Sequence, residues 1–142
     1  MGTSHNLAGS YISINTAMSS FELLNLAEMV AAEVQQHRPG KAGPVAKIGR
    51  TASSVDFAIL NIWKKPMMRF RVRAASTTDG RTELKSQITH FRTLQQKAFI
   101  FIPVGPKRLA GWNAYSTFME SLRAAASDID DAACAMIVNA AG

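Results

Sequence analysis

Arg69, Arg71 and Arg73 alternate with Met68, Phe70, Val72 and Ala74, and this spacing carries the clearest chemical potential in the sequence. In an extended chain successive side chains point to opposite faces and residues two apart lie roughly 7 Å apart on one face. The spacing therefore predicts a half-buried strand with apolar residues on one side and three guanidinium groups on the other. Guanidinium is planar, permanently charged and rich in donors matched to phosphate or carboxylate. Such a row can hold an anion but supplies no nucleophile or base.

A turn decides what stands beside the arginines. Thr78-Asp79-Gly80 is a hairpin signal. A two-residue Asp79-Gly80 loop would put Val72 opposite Gln87 and Phe70 opposite Thr89, pairing core residues with polar ones. A three-residue loop with Gly80 left-handed in a bulge instead pairs Phe70 with Ile88 and Ala74 with Leu84. We expect the second register. It sets Arg69, Arg71 and Arg73 beside Thr89, Gln87 and Lys85, with His90 beside Met68 on the apolar side. Arg73 and Lys85 become direct neighbours of like charge, which destabilises by up to about 1 kcal/mol unless an acid or anion intervenes. Glu83 is the nearest acid for relief, and Lys64 and Lys65 at the preceding turn extend the basic face.

Other chemistry finds no support in the motifs. Gly43 to Thr51 resembles a phosphate loop superficially, but five residues separate its glycines and Arg50 follows the second, whereas a Walker A loop has four and then Lys. His5, His37 and His90 have no paired-ligand spacing and no neighbouring cysteine. Helix capping accounts for His37. Cys134 sits in an apolar setting that predicts a buried, inert thiol. There is no Gly-x-Ser-x-Gly elbow and no pair of carboxylates with a positioned base. The expectation is a protein that is not an enzyme, with no cofactor and no metal.

The elements that must position the basic face follow from periodicity. Tyr11 to Thr16 reads as a strand with Ile12 and Ile14 on one side. Ser19 and Glu22 form a capping box, and Met18 and Leu23 a hydrophobic staple. Leu23, Leu26, Ala27, Val30, Ala31 and Val34 then fall at helical spacing, up to Pro39-Gly40. Between Val45 and Val104 the period is two, giving four or five antiparallel strands. Asp56 to Trp63 is apolar on both sides, so it is buried twice or meets another chain. Phe99 to Val104 is an apolar run expected to close the sheet. Leu109, Trp112, Tyr115, Phe118, Met119 and Leu122 make the stripe of a last helix, ending near Ser127, where Asp128, Asp130 and Asp131 would oppose its negative end. Ala132 to Val138 fits a short helix or an edge strand.

The fold class is thus α+β: an antiparallel sheet of about five strands, with two main helices packed on one face. Residues 1–10 read as a flexible leader or a remnant of cloning, and 11–142 as a single α+β domain. The order strand, helix, strands, helix from Tyr11 to Ala126 resembles the TATA-box-binding-protein-like fold and its elaboration in START-like ligand-binding domains. Phe101-Ile-Pro-Val-Gly-Pro-Lys-Arg-Leu109 is similar to stretches of short uncharacterised actinobacterial proteins. The START-like resemblance implies a cavity under the last helix, lined by Phe70, Ile88, Phe101, Trp112, Tyr115 and Phe118, for a small apolar ligand.

Charge points the other way. Of the chain's 142 residues, sixteen are Lys or Arg and ten are Asp or Glu, a net +6. Fifteen of those cations but only three acids lie between Arg38 and Arg108. A basic middle between acidic ends favours an anionic partner, either a macromolecule or a small ligand. It also allows a homodimer or larger assembly in which basic sheet meets acidic ends. A hydrophobic content of 47% argues against disorder, no apolar run is long enough to cross a bilayer, and a single cysteine leans weakly to the cytoplasm.

Overall fold

A computed structural model describes residues 9–37, 45–60, 65–91, 93–98, 102–109 and 111–138. In chain order, β1 (Tyr11–Thr16) leads to α1 (Ser20–His37), then β2 (Val45–Arg50), β3 (Ser54–Leu60), β4 (Pro66–Ser76) and β5 (Thr82–Phe91). A hairpin of β6 (Thr93–Ala98) and β7 (Ile102–Leu109) precedes α2 (Trp112–Ile129) and β8 (Cys134–Val138). The architecture is α+β: a six-stranded sheet in the order β2-β3-β4-β5-β1-β8, antiparallel at every pairing, with two helices on one face.

The helices form where local chemistry allows. Ser19 Oγ accepts the amide of Glu22 at 3.1 Å and donates to the Glu22 carboxylate, which takes the hydroxyl rather than the Ser19 amide expected of a capping box. The six apolar α1 positions named from the sequence are buried, as is Leu24. Across from them lie Ile12 and Ile14 of β1, Val55, Phe57 and Ile59 of β3, Met68, Phe70 and Val72 of β4, and Leu84 of β5. Such side chains stabilise by about 1.5–3 kcal/mol each. Glu28 of α1 grips both basic residues of β2, Lys47 at 2.9 Å and Arg50, and Arg50 also lies over the Phe21 ring. The hydrogen bond from Lys47, then that from Arg50, hold the Glu28 carboxyl below its ordinary pKa.

The β4–β5 register is the one the three-residue loop requires. Phe70 pairs with Ile88, Arg73 with Lys85 and Ala74 with Leu84. Gly80 has φ +80°, and the Asp79 carboxylate accepts from the Thr77 hydroxyl and the Arg81 amide. A bulge changes the far end. Thr89 is an extra residue on β5, its hydroxyl donating to the Arg69 carbonyl at 3.2 Å. Arg69 therefore faces His90 instead of Thr89, Met68 faces Phe91, and His90 is exposed rather than on the apolar side.

Three further expectations need correction. Among the described residues β6 and β7 pair only with each other, so the described part of the run from Phe99 to Val104 does not close the main sheet. Its first part, including Phe101, lies outside the described residues, as do Lys64, Trp63 and Pro39-Gly40. β8 takes the edge beside β1, which resolves the Ala132 to Val138 ambiguity as strand. Leu109 ends β7 rather than joining the helix, which runs on to Ile129 and is capped by Asp130 in extended conformation. Cys134 is exposed, because on this edge strand it pairs with Asn15 on the side away from the helices.

Two latches fix β8 in place. Asp130 accepts from Thr16 Oγ1 at 2.6 Å and from the amides of Ala17 and Ala132. Arg81 donates to the Asn15 side chain and carbonyl and to the Ala132 carbonyl. At the other end of α2, Gly111 has φ +84°, and a Cβ there would meet Met68 Cβ at 3.2 Å and Ile59 Cγ2 at 3.3 Å. Gly80 has the same backbone strain to offer but open space around it. Left-handed backbone costs a side chain about 1–2 kcal/mol, so Gly111→Ala should lower urea-unfolding stability by more than Gly80→Ala. Equal losses would contradict the close packing at Gly111.

Candidate anion-binding site

Alternation carries Arg69, Arg71 and Arg73 onto the sheet face opposite the helices, and the register brings in neighbours row by row. Arg73 lies between Ser54 of β3 and Lys85 of β5, with Ser13 of β1 beyond Lys85. Arg71 lies between Asp56 and Gln87. Arg69 lies between Ala58 and His90. The four cations chosen from the sequence therefore stand together. Ala58, on this side of β3, is buried as well as Phe57 and Ile59, in keeping with the two-sided apolar pattern.

One of the four has an acid. Arg71 Nε donates to Asp56 Oδ1 at 2.6 Å and Nη2 reaches Oδ2 at 3.4 Å. That bond and the carboxylate's charge raise the Arg71 pKa. About a third of each side chain is exposed, so solvent screens the pair and it adds little to stability. Glu83 does not play the part expected of it. Among the described residues no ion pair joins it to Lys85 or Arg73, and none involves Arg69. Lys85 instead places Nζ 4.3 Å from the centroid of the Tyr11 ring. A ring face attracts a cation without neutralising it.

Beside these cations the sheet opens. β1 pairs with β5 only as far as Ser13 opposite Lys85, while it continues to Tyr11 beside β8. The Ile12 amide donates to Ser86 Oγ at 2.9 Å instead of joining a strand ladder. Ser86 Oγ lies 2.7 Å from the Tyr115 hydroxyl, which donates to the Ser10 carbonyl at 3.0 Å. Beyond the last β1–β5 pair lies a cleft of about 430 Å³, with Gly9 to Tyr11 on one wall, Lys85 to Ile88 on the other, and Arg71 and Arg73 from β4.

The side chains around this seam divide by type. Phe70, Tyr115 and Phe118 are buried with ring centroids 4.9–5.0 Å from Phe70, and Trp112 is 6.0 Å from Tyr115. Of the six residues expected around an apolar cavity, Ile88 alone lines the cleft among the described ones. Ser10, which the sequence places in the leader, is buried. Asp56, Tyr11 and Ser86 were not singled out by sequence reasoning. Ser86 did leave a signal, since a hydroxyl between Leu84 and Ile88 on the apolar side of a strand needs an interior partner. Among the described residues no group of three His, Cys, Asp or Glu could hold a metal ion, and no helix is long and apolar enough to cross a membrane.

Burial pushes the Tyr115 phenol up to about 12, against a smaller opposing effect of its bond to Ser86. A raised acid pKa favours the neutral folded form. The resulting stability is intact below the ordinary tyrosine value near 10 and is lost as pH rises toward 12. In absorbance titration of the folded protein, Tyr115 should ionise only near pH 12, and the Tyr115→Phe variant should lack that step. Ionisation near 10 would contradict the burial. The same variant removes the Tyr115 bonds to the Ser10 carbonyl and the Ser86 hydroxyl, an expected loss of about 1–3 kcal/mol in urea unfolding. No protein-family model matches this sequence, and no curated protein matches it.

Proposed function

We propose that this is a non-catalytic binding domain that engages an anionic partner through the open sheet face, with Arg69, Arg71, Arg73 and Lys85 as the contacting cations. The observation that carries this reading is the cleft lined by Arg71, Arg73 and Lys85, of which only Arg71 is paired with an acid, Asp56, among the described residues. The basic residues of β2 are tied to α1 through Glu28, so among the cations whose side chains are described those of β4 and β5 supply the row open to a partner. Planar arginines spaced along a strand suit phosphate or carboxylate oxygens.

An apolar carrier has less behind it, because the rings of Phe57, Phe70, Tyr115 and Phe118 pack on one another within 5.7 Å. Elution from a phosphate-bearing cation exchanger separates a specific face from general basicity. An Arg69→Ala, Arg73→Ala, Lys85→Ala variant should leave at clearly lower salt than a Lys47→Ala, Arg50→Ala, Arg123→Ala control of equal net charge. Equal elution of the two would contradict the proposed surface.

A further inference from the structure

We infer that the cleft at the β1–β5 seam takes a small phosphate monoester, its dianion seated between Arg73 and Lys85 and its organic body against Tyr11. This rests on the anionic reading of the face and narrows it to one ligand chemistry.

The charge count argues for a dianion. Arg73 and Lys85 are directly opposed across β4 and β5, so their Cβ atoms are about 5 Å apart, and like charges in that position repel. Neither has an acid partner among the described residues. A carboxylate balances one of them. A phosphate monoester carries about −1.5 to −2 at neutral pH and three acceptor oxygens, enough to bridge both. Arg71, lining the same cleft, is held in place by Asp56 and keeps further guanidinium donors beyond the two used there.

Shape argues for a small ester over a polymer. At about 430 Å³ the cleft is the size of a small-molecule site. It is walled on one side by Gly9 to Tyr11, which confines the anion to the seam instead of leaving a track across the sheet. Arg69, farther along β4, does not line it. Tyr11, which lines the cleft, supplies a ring that free phosphate would not use. Ser86 and Tyr115 secure the opening, since their hydrogen bonds to Ile12 and Ser10 hold the start of β1 off the β5 ladder.

Calorimetric titration of the full chain at low salt and neutral pH tests the assignment, with phenyl phosphate, methyl phenyl phosphate, inorganic phosphate and a short single-stranded DNA as probes. We expect phenyl phosphate to bind about tenfold more tightly than its singly charged methyl ester and more tightly than inorganic phosphate. Arg73→Ala and Lys85→Ala should each weaken it about tenfold, and Arg69→Ala by less than about twofold. Far-UV circular dichroism checks that each variant is folded. Equal affinity for the monoester and the diester overturns the dianion site, and equal affinity for inorganic phosphate overturns the role of the Tyr11 ring. DNA binding that needs Arg69 as much as Arg73, with no response to phenyl phosphate, overturns this inference while the broader anionic reading stands. Silence from all four probes overturns both.

Discussion

The register of β4 against β5 is the constraint on which the rest of the molecule depends. A three-residue turn with Gly80 left-handed sets it. The same choice puts Phe70 opposite Ile88 under the helices and Arg73 opposite Lys85 in the open. A slip of one residue would send the apolar row outward and the guanidinium row into the core. Burial of Met68, Phe70 and Val72 therefore secures the basic face, because burying three guanidinium groups is prohibitive. Packing energy on one side of the strand specifies electrostatics on the other.

A second constraint shapes that face into a cleft. β1 serves two neighbours, β5 and β8, but its start belongs only to β8. The Ile12 amide and the Ser10 carbonyl find side-chain partners in Ser86 and Tyr115. Among the described residues no buried side-chain polar atom lacks a partner, so the buried side chains of the seam are satisfied as they stand. That completeness makes the opening a feature of the fold. The aromatic cluster of α2 and β4 thereby reaches the cleft through one hydroxyl, linking core packing to the geometry of the seam.

Much of this was legible in the residues. Alternation from Met68 to Ala74, the Ser19–Glu22 start of α1 and the hairpin register all rest on local rules, and each holds in the structure. What escaped depends on pairings between distant segments. Asp56 meets Arg71 only because β3 joins β4 in one particular register, which the intervening residues do not declare. The Thr89 bulge moved His90 to the outside, and the run Ile88-Thr89-His90 holds no glycine to mark the extra residue. An apolar run such as Phe99 to Val104 looks the same whether it joins a main sheet or a separate hairpin, and Cys134 looks buried until β8 proves to be an edge.

The closeness of Arg73 and Lys85 is the central claim, and a double-mutant cycle of Arg73→Ala and Lys85→Ala on urea-unfolding stability measures it without any ligand. The cycle cancels what each residue does alone, including the contact of Lys85 with Tyr11. A repulsive coupling of a few tenths to about 1 kcal/mol at low salt, shrinking as ionic strength rises, is what the register requires. A coupling of zero, or an attractive one, would show that the two cations do not face each other and that the basic cleft is not assembled as described.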